Sequence, residues 1–200
     1  IYIQADGSLH PDHAPISSAD NVTYTLTENI VGDVPYDSSA IIIERNNIVV
    51  GGAGYTIEGT KVEKSKGIYM LGLTNVTIKN INIKHFCYGI YLDGSSNNVI
   101  SGNNITANNW YGIWVKDSSN NNVSGNTITA NNYAGIRFYG SSYNSISGNH
   151  ITSNWDGIVV WGSSYNSVVG NNVTANINHG ILLYISSNNN AIFGNNMTAN

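Results

Sequence analysis

The sequence predicts an all-β parallel β-helix, a solenoid of about seven coils with 22–24 residues each. Three observations carry this. A Gly-Ile pair recurs at Gly89, Gly112, Gly135, Gly157 and Gly180, at spacings of 23, 23, 22 and 23 residues, with an earlier, degenerate copy from Gly67. Apolar residues alternate with outward positions inside each copy. Asparagines recur in three files at fixed places in the repeat.

The alternation identifies strands. Ile90/Leu92, Ile113/Val115, Ile136/Phe138, Ile158/Val160 and Ile181/Leu183 point one way and their neighbours the other, a period of two. A second apolar column is Ile100, Val123, Ile146, Val168 and Ile192. A third is Ile105, Ile128, Ile151, Val173 and Met197. Each copy therefore holds three short extended segments separated by Ser, Asn and Gly, and no stretch has the length or period of a helix. The leucine-rich-repeat pattern is missing, and the repeat is too short for a propeller blade of about 40 residues. A coil stacked on its copy about 4.8 Å away satisfies the strands, giving a rod on the order of 34 Å.

Stacking also gives the asparagines a role. Asn98, Asn121, Asn144, Asn166 and Asn189 are expected at one corner. Asn103, Asn126, Asn149, Asn171 and Asn195 fall at a second, and Asn108, Asn131, Asn154, Asn176 and Asn200 at a third. At a bend, Asn tolerates left-handed backbone angles. Its amide can donate to the equivalent Asn one coil on, a ladder that satisfies buried carboxamides.

Residues 1–40 hold all three prolines and no repeat, and read as an N-terminal capping segment. The coils then run over 41–200, with clear copies from 67. The chain opens on "IYIQADGS", without a basic start and apolar stretch, so a signal peptide is either absent or already removed. It stops inside the pattern at Asn200, as a fragment would. The alternative is an uncapped last coil that associates end to end.

Composition narrows the partners. Charged residues are 10% of the chain and the net charge is −4, so no basic field exists for nucleic acid or an anionic membrane. No run of eighteen apolar residues is present for direct membrane insertion. Cys87 is the single cysteine, which excludes an intrachain disulfide.

"NNIVVGGAGYTIEGT", "KGIYMLGLTNVTIKNINIK" and the "GIYLDGSSNNVISGNNIT" units resemble the NosD-like, CASH-type β-helix proteins, over nearly everything from about residue 20 onward. The resemblance implies a right-handed solenoid and an archaeal-type exported or cell-surface setting. It is weak for function, since members include a periplasmic copper-maturation factor, polysaccharide-processing enzymes and many surface proteins.

The first strand's outward positions collect aromatics. Tyr91, Trp110, Trp114, Tyr139, Trp155 and Trp161 are the candidate ligand-binding residues, because rings stack on the apolar face of a sugar. Cross-strand packing is the competing role. Catalysis has less support: from Ser65 onward the acids are Asp93, Asp117 and Asp156, whereas glycoside hydrolysis uses two carboxylates about 5–10 Å apart. Asp93, Lys116 and Arg137 form the one catalytic candidate, as a polysaccharide lyase on acidic glycans, with an Asp93–Lys116 salt bridge the plainer role.

No metal site and no cofactor are expected. His85 and Cys87 read as two residues on one strand face, too few for copper, and His150 and His179 show no partner. Asn21, Asn75, Asn104, Asn122, Asn172 and Asn196 lie in Asn-x-Ser/Thr triplets and are glycosylation candidates in an exported protein.

The reading that results is a non-catalytic secreted or cell-surface β-helix, extracellular, acting as a rigid spacer or binding surface for carbohydrate. An enzyme on acidic polysaccharide and a self-assembling rod, as a filament or surface layer, are the alternatives.

Overall fold

A computed structural model describes residues 1–200. The chain winds as a right-handed parallel β-helix with three sheets and no helix. The first sheet stacks Ser39–Ile43, Lys66–Leu71, Tyr88–Asp93, Tyr111–Lys116, Ala134–Tyr139, Asp156–Trp161 and His179–Tyr184, all parallel and in register. The second sheet holds strands such as Val99–Ser101 and Asn122–Ser124, and the third strands such as Asn104–Thr106 and Thr127–Thr129.

The rod has about eight turns, one more than expected. The additional turn comes from the N-terminal residues: Tyr2–Ile3 pairs in parallel with Ile42 and Ile43, Thr23–Leu26 with Val49 to Gly51, and Ile30–Val31 with Ile57 and Glu58. Two short antiparallel strands, Leu9–His10 and Ile16–Ser17, lie beyond it. The irregular spacing of its apolar residues hid this turn from a search for repeats.

Inward columns fuse into one core of 35 buried residues, in which Ile90, Ile113, Ile136 and Ile158 are all fully buried. A lone coil buries too little apolar area to offset the entropy of ordering it, so stability accrues from neighbour to neighbour.

The ladders are present, with two corrections. In the first file the last member is Asn190, not Asn189: the Asn166 amide donates to Asn190 Oδ1 at 3.0 Å. The last coil carries an extra residue after Tyr184, where Ile185 and Ser186 both have positive φ, and this shifts the file by one. The ladder asparagines are also not the left-handed residues. Those lie one position earlier: Asn97, Asn120, Tyr143, Tyr165 and Asn189 at the first corner, glycines at the second, and chiefly alanines at the third. The bend is made by the preceding residue, which leaves the Asn side chain free to turn inward. Sequence reading missed a fourth file. Ser95, Ser118, Ser141, Ser163 and Ser187 each accept a backbone N–H from the coil before.

The recurring glycine has a steric cause. A Cβ at Gly112 would stand 2.7 Å from the Gly135 carbonyl oxygen and 2.7 Å from Ile128 Cγ2. From Gly67 to Gly157 only hydrogen fits at this position against the next coil, whereas the coil before Gly67 carries Ala40 there.

Candidate functional site

Register on the first sheet decides which outward side chains meet. One outward file is Lys66, Tyr88, Tyr111, Ala134, Asp156 and His179. The next is Tyr69, Tyr91, Trp114, Arg137, Val159 and Leu182, and the third is Leu71, Asp93, Lys116, Tyr139, Trp161 and Tyr184.

Toward the N-terminal turns these files are filled with rings that bury each other. Tyr91 was expected to face solvent and does not: it is 8% exposed and stacks on Trp114 with centroids 4.3 Å apart. Tyr88 lies 4.9 Å from Trp114 and 5.8 Å from Tyr111. Tyr91 and Trp114 are thus packing residues of a small external core that also covers Cys87. Such ring pairs contribute about 0.5–1.5 kcal/mol each beyond the area they bury.

Burial is the leading cause that pushes the phenols of Tyr69, Tyr88, Tyr91 and Tyr111 above the usual tyrosine range. The hydrogen bond to Asp93 reinforces the shift at Tyr91, and Arg137 opposes it at Tyr111. The folded state therefore holds these protons more tightly than the unfolded chain. Their contribution to stability is complete below the ordinary pKa of about 10 and is lost as pH rises above it. A titration followed at 295 nm is expected to show part of the thirteen tyrosines ionising only as the protein unfolds. A single step near the ordinary value for all of them would contradict this packing.

Farther along the rod the files thin. Ala134 follows Tyr111, and Val159 follows Arg137. The loss of bulk opens a cleft of about 230 Å³ between exposed Tyr133, Trp155 and Tyr184 and half-buried Trp161. Tyr133 and Trp155 stand on one side, 54% and 47% exposed, and Trp161 and Tyr184 on the other, their centroids 4.7 Å apart. Ala134, Val159 and Leu182 form an apolar floor. Trp110 stacks on Tyr133 at 6.1 Å, and Tyr139 sits 6.2 Å from Trp161, so four of the six predicted aromatics border this region.

The predicted catalytic trio is not brought together. Asp93 pairs with Lys116 at 3.2 Å and accepts the Tyr91 hydroxyl at 2.9 Å. The Asp93 hydrogen bond is also the leading cause that raises the Lys116 pKa. Arg137 lies two coils from Asp93, about 10 Å along the axis. It turns instead into the cleft, where it donates to the Tyr111 hydroxyl. Its guanidinium carbon is 5.1 Å from the Tyr111 ring, 5.8 Å from Tyr139 and 5.0 Å from Trp161.

A pair that sequence reading passed over lies in the first file. Asp156 Oδ1 is 2.9 Å from His179 Nδ1 and also accepts the His179 backbone N–H and the Asn178 amide, both at 3.1 Å. An Nδ1–H tautomer donates to this carboxylate and leaves Nε2 as an acceptor, the arrangement that orients an imidazole for proton transfer. The signal was present: each residue directly precedes a repeat glycine, Gly157 and Gly180, so stacking places them on adjacent coils.

His85 and Cys87 do not share a strand face. His85 is a turn residue with φ 62°, bonded to Glu58, and Cys87 is buried. Among the sequon asparagines, Asn21, Asn75, Asn104, Asn122 and Asn196 are exposed, and Asn172 is half-buried.

The architecture defines a parallel β-helix with an open aromatic cleft on one lateral face. Residues 15–200 match the family described as periplasmic copper-binding protein (NosD), and the chain belongs to that family. The donor set does not fit a copper site: no three His, Cys, Asp or Glu side chains gather, and Met70 is fully buried in the core. No individually curated protein matches the sequence. Among solved structures, the chain is similar to DFA-IIIase from Arthrobacter chlorophenolicus A6 without its lid (19% identity, TM-score 0.67, 80% of this chain and 42% of that one). It is also similar to the periplasmic alginate epimerase AlgG (16%, 0.56, 85% and 50%) and to the enzymatically active domain of bacteriophage CBA120 tailspike protein 2 (16%, 0.56, 85% and 36%). At these identities the likeness is one of fold. The chain spans half or less of the length of each.

Proposed function

We propose that this is an exported β-helix protein whose lateral cleft binds carbohydrate without transforming it, on a rigid rod. The observation that carries the reading is the cleft itself, an apolar floor between accessible rings with few polar groups. A pyranose offers one C–H face and a rim of hydroxyls, and such a cleft suits it. Support from fold is of the same kind, since an alginate epimerase and a DFA-IIIase are built on this architecture. The export assignment draws on the family description and on AlgG, both periplasmic.

A glycan array tests the reading. Wild-type protein is expected to retain a subset of glycans, and Trp161→Ala or Trp155→Ala to weaken retention about tenfold or more, as loss of a central aromatic contact does. Lys116→Ala, outside the cleft, is expected to leave it unchanged. Retention that survives both tryptophan changes would refute the assignment.

A further inference from the structure

We infer that the cleft is built for a carboxylated sugar, with Arg137 as the group that binds the carboxylate; this rests on the carbohydrate reading above. The cation is incompletely satisfied. Lys66, Lys84 and Lys116 each have a carboxylate partner, at 2.7, 3.0 and 3.2 Å, whereas no carboxylate lies within 4.0 Å of the half-buried Arg137. A guanidinium carries five N–H donors. One nitrogen, Nη1, bonds the Tyr111 hydroxyl, while Nε is buried with no partner at all. Three rings around the group hold its orientation, and of them only Tyr111, through its hydroxyl, takes up a donor.

A half-desolvated cation with unused donors favours an anion, and a planar carboxylate meets the guanidinium fork with two parallel hydrogen bonds. The neighbouring charges allow one to enter. Asp156 is the acid lining the cleft, and its Oδ1 already receives three N–H contacts from Asn178 and His179. Lys116 is turned to Asp93. The ligand must then combine a carboxylate with an apolar ring face for Trp161 and Trp155, which describes a uronic acid.

The test is calorimetry at low salt with hexamers of galacturonate, mannuronate and glucuronate, each beside its methyl ester, which removes the charge and keeps the ring. At least one acid is expected to bind about tenfold or more tighter than its ester, as a charge-assisted pair does. In Arg137→Gln, with folding checked by circular dichroism and thermal melting, that preference is expected to vanish. Arg137→Lys keeps charge without the fork and is expected to retain part of it. Trp161→Ala is expected to weaken acid and ester alike. Equal affinity for every acid and ester, or a preference that persists in Arg137→Gln, overturns the inference. If esters or neutral glycans bind in a Trp161-dependent way and the acids do no better, the carboxylate assignment fails alone. If no saccharide binds, the carbohydrate reading fails with it.

Discussion

Replacing Asn126 by Leu is expected to destabilise the protein by about 4 kcal/mol or more, the largest effect of any single change considered. Asn126 is 1% exposed and sits in the middle of its file. Its backbone N–H and its amide both donate to Asn149 Oδ1 at 2.9 Å, and the amide also donates to the Ile100 carbonyl at 2.9 Å. Its own Oδ1 accepts the Asn103 backbone N–H at 2.9 Å and the Asn103 amide at 3.0 Å. Leucine, of similar volume, leaves the buried Asn103 backbone N–H without an acceptor, strips the Asn103 amide of one of its two acceptors (the Ile78 carbonyl remains), and removes a donor from the Ile100 carbonyl. Each orphaned group costs about 1–3 kcal/mol. Asn126→Asp separates hydrogen bonding from shape. At neutral pH it puts a second carboxylate oxygen against two acceptors in a dry site, which raises the carboxyl pKa in the folded state. The folded protein then binds the proton more tightly than the unfolded chain, so stability is regained as pH falls toward the ordinary carboxyl value of about 4. Chemical denaturation at pH 7 and pH 4 measures both effects. A loss under 1 kcal/mol for the leucine variant would show that the files are decorative.

Phe138→Ala is expected to cost about 3–5 kcal/mol. Phe138 is fully buried, in an inward column whose neighbours in register are Val115 and Val160. In most proteins a truncated ring is partly offset by collapse of the surroundings. Here the coils above and below are held at one spacing by their ladders, so little collapse can follow. Phe138→Leu, which keeps most of the volume, is expected to cost less than about 1.5 kcal/mol. Guanidinium denaturation of the two variants provides the comparison, and equal midpoints would contradict a rigid core. Because solenoids unfold unit by unit, the midpoint is best read together with the steepness of the transition.

The parts of the site were unequally visible beforehand. The aromatic files could be read, because every outward position recurs at the coil period and rings at those positions stand out. Their fate could not. Tyr91 and Trp114 occupy the same file as Arg137, yet the first two bury each other while the third faces a cleft. The difference arises from the small residues Ala134, on the same strand as Arg137, and Val159, one coil further along. A sequence reports what stands in a file, and only packed volumes show whether neighbours close over it. Asp156 and His179 illustrate the opposite failure: both were noticed separately, and they meet only because one coil is laid directly on the next.

The sequence alone determined the winding, because a stacked solenoid requires like residues at like positions, and that requirement leaves a period in the chain. It determined the ladders for the same reason, since a buried carboxamide needs its counterpart one coil away. The tertiary structure decided where the last file shifts at Asn190, where the rings close and where they part, and which guanidinium keeps a buried N–H without a partner. Those outcomes depend on side-chain volumes and directions summed over three or four coils, and no periodic pattern encodes them.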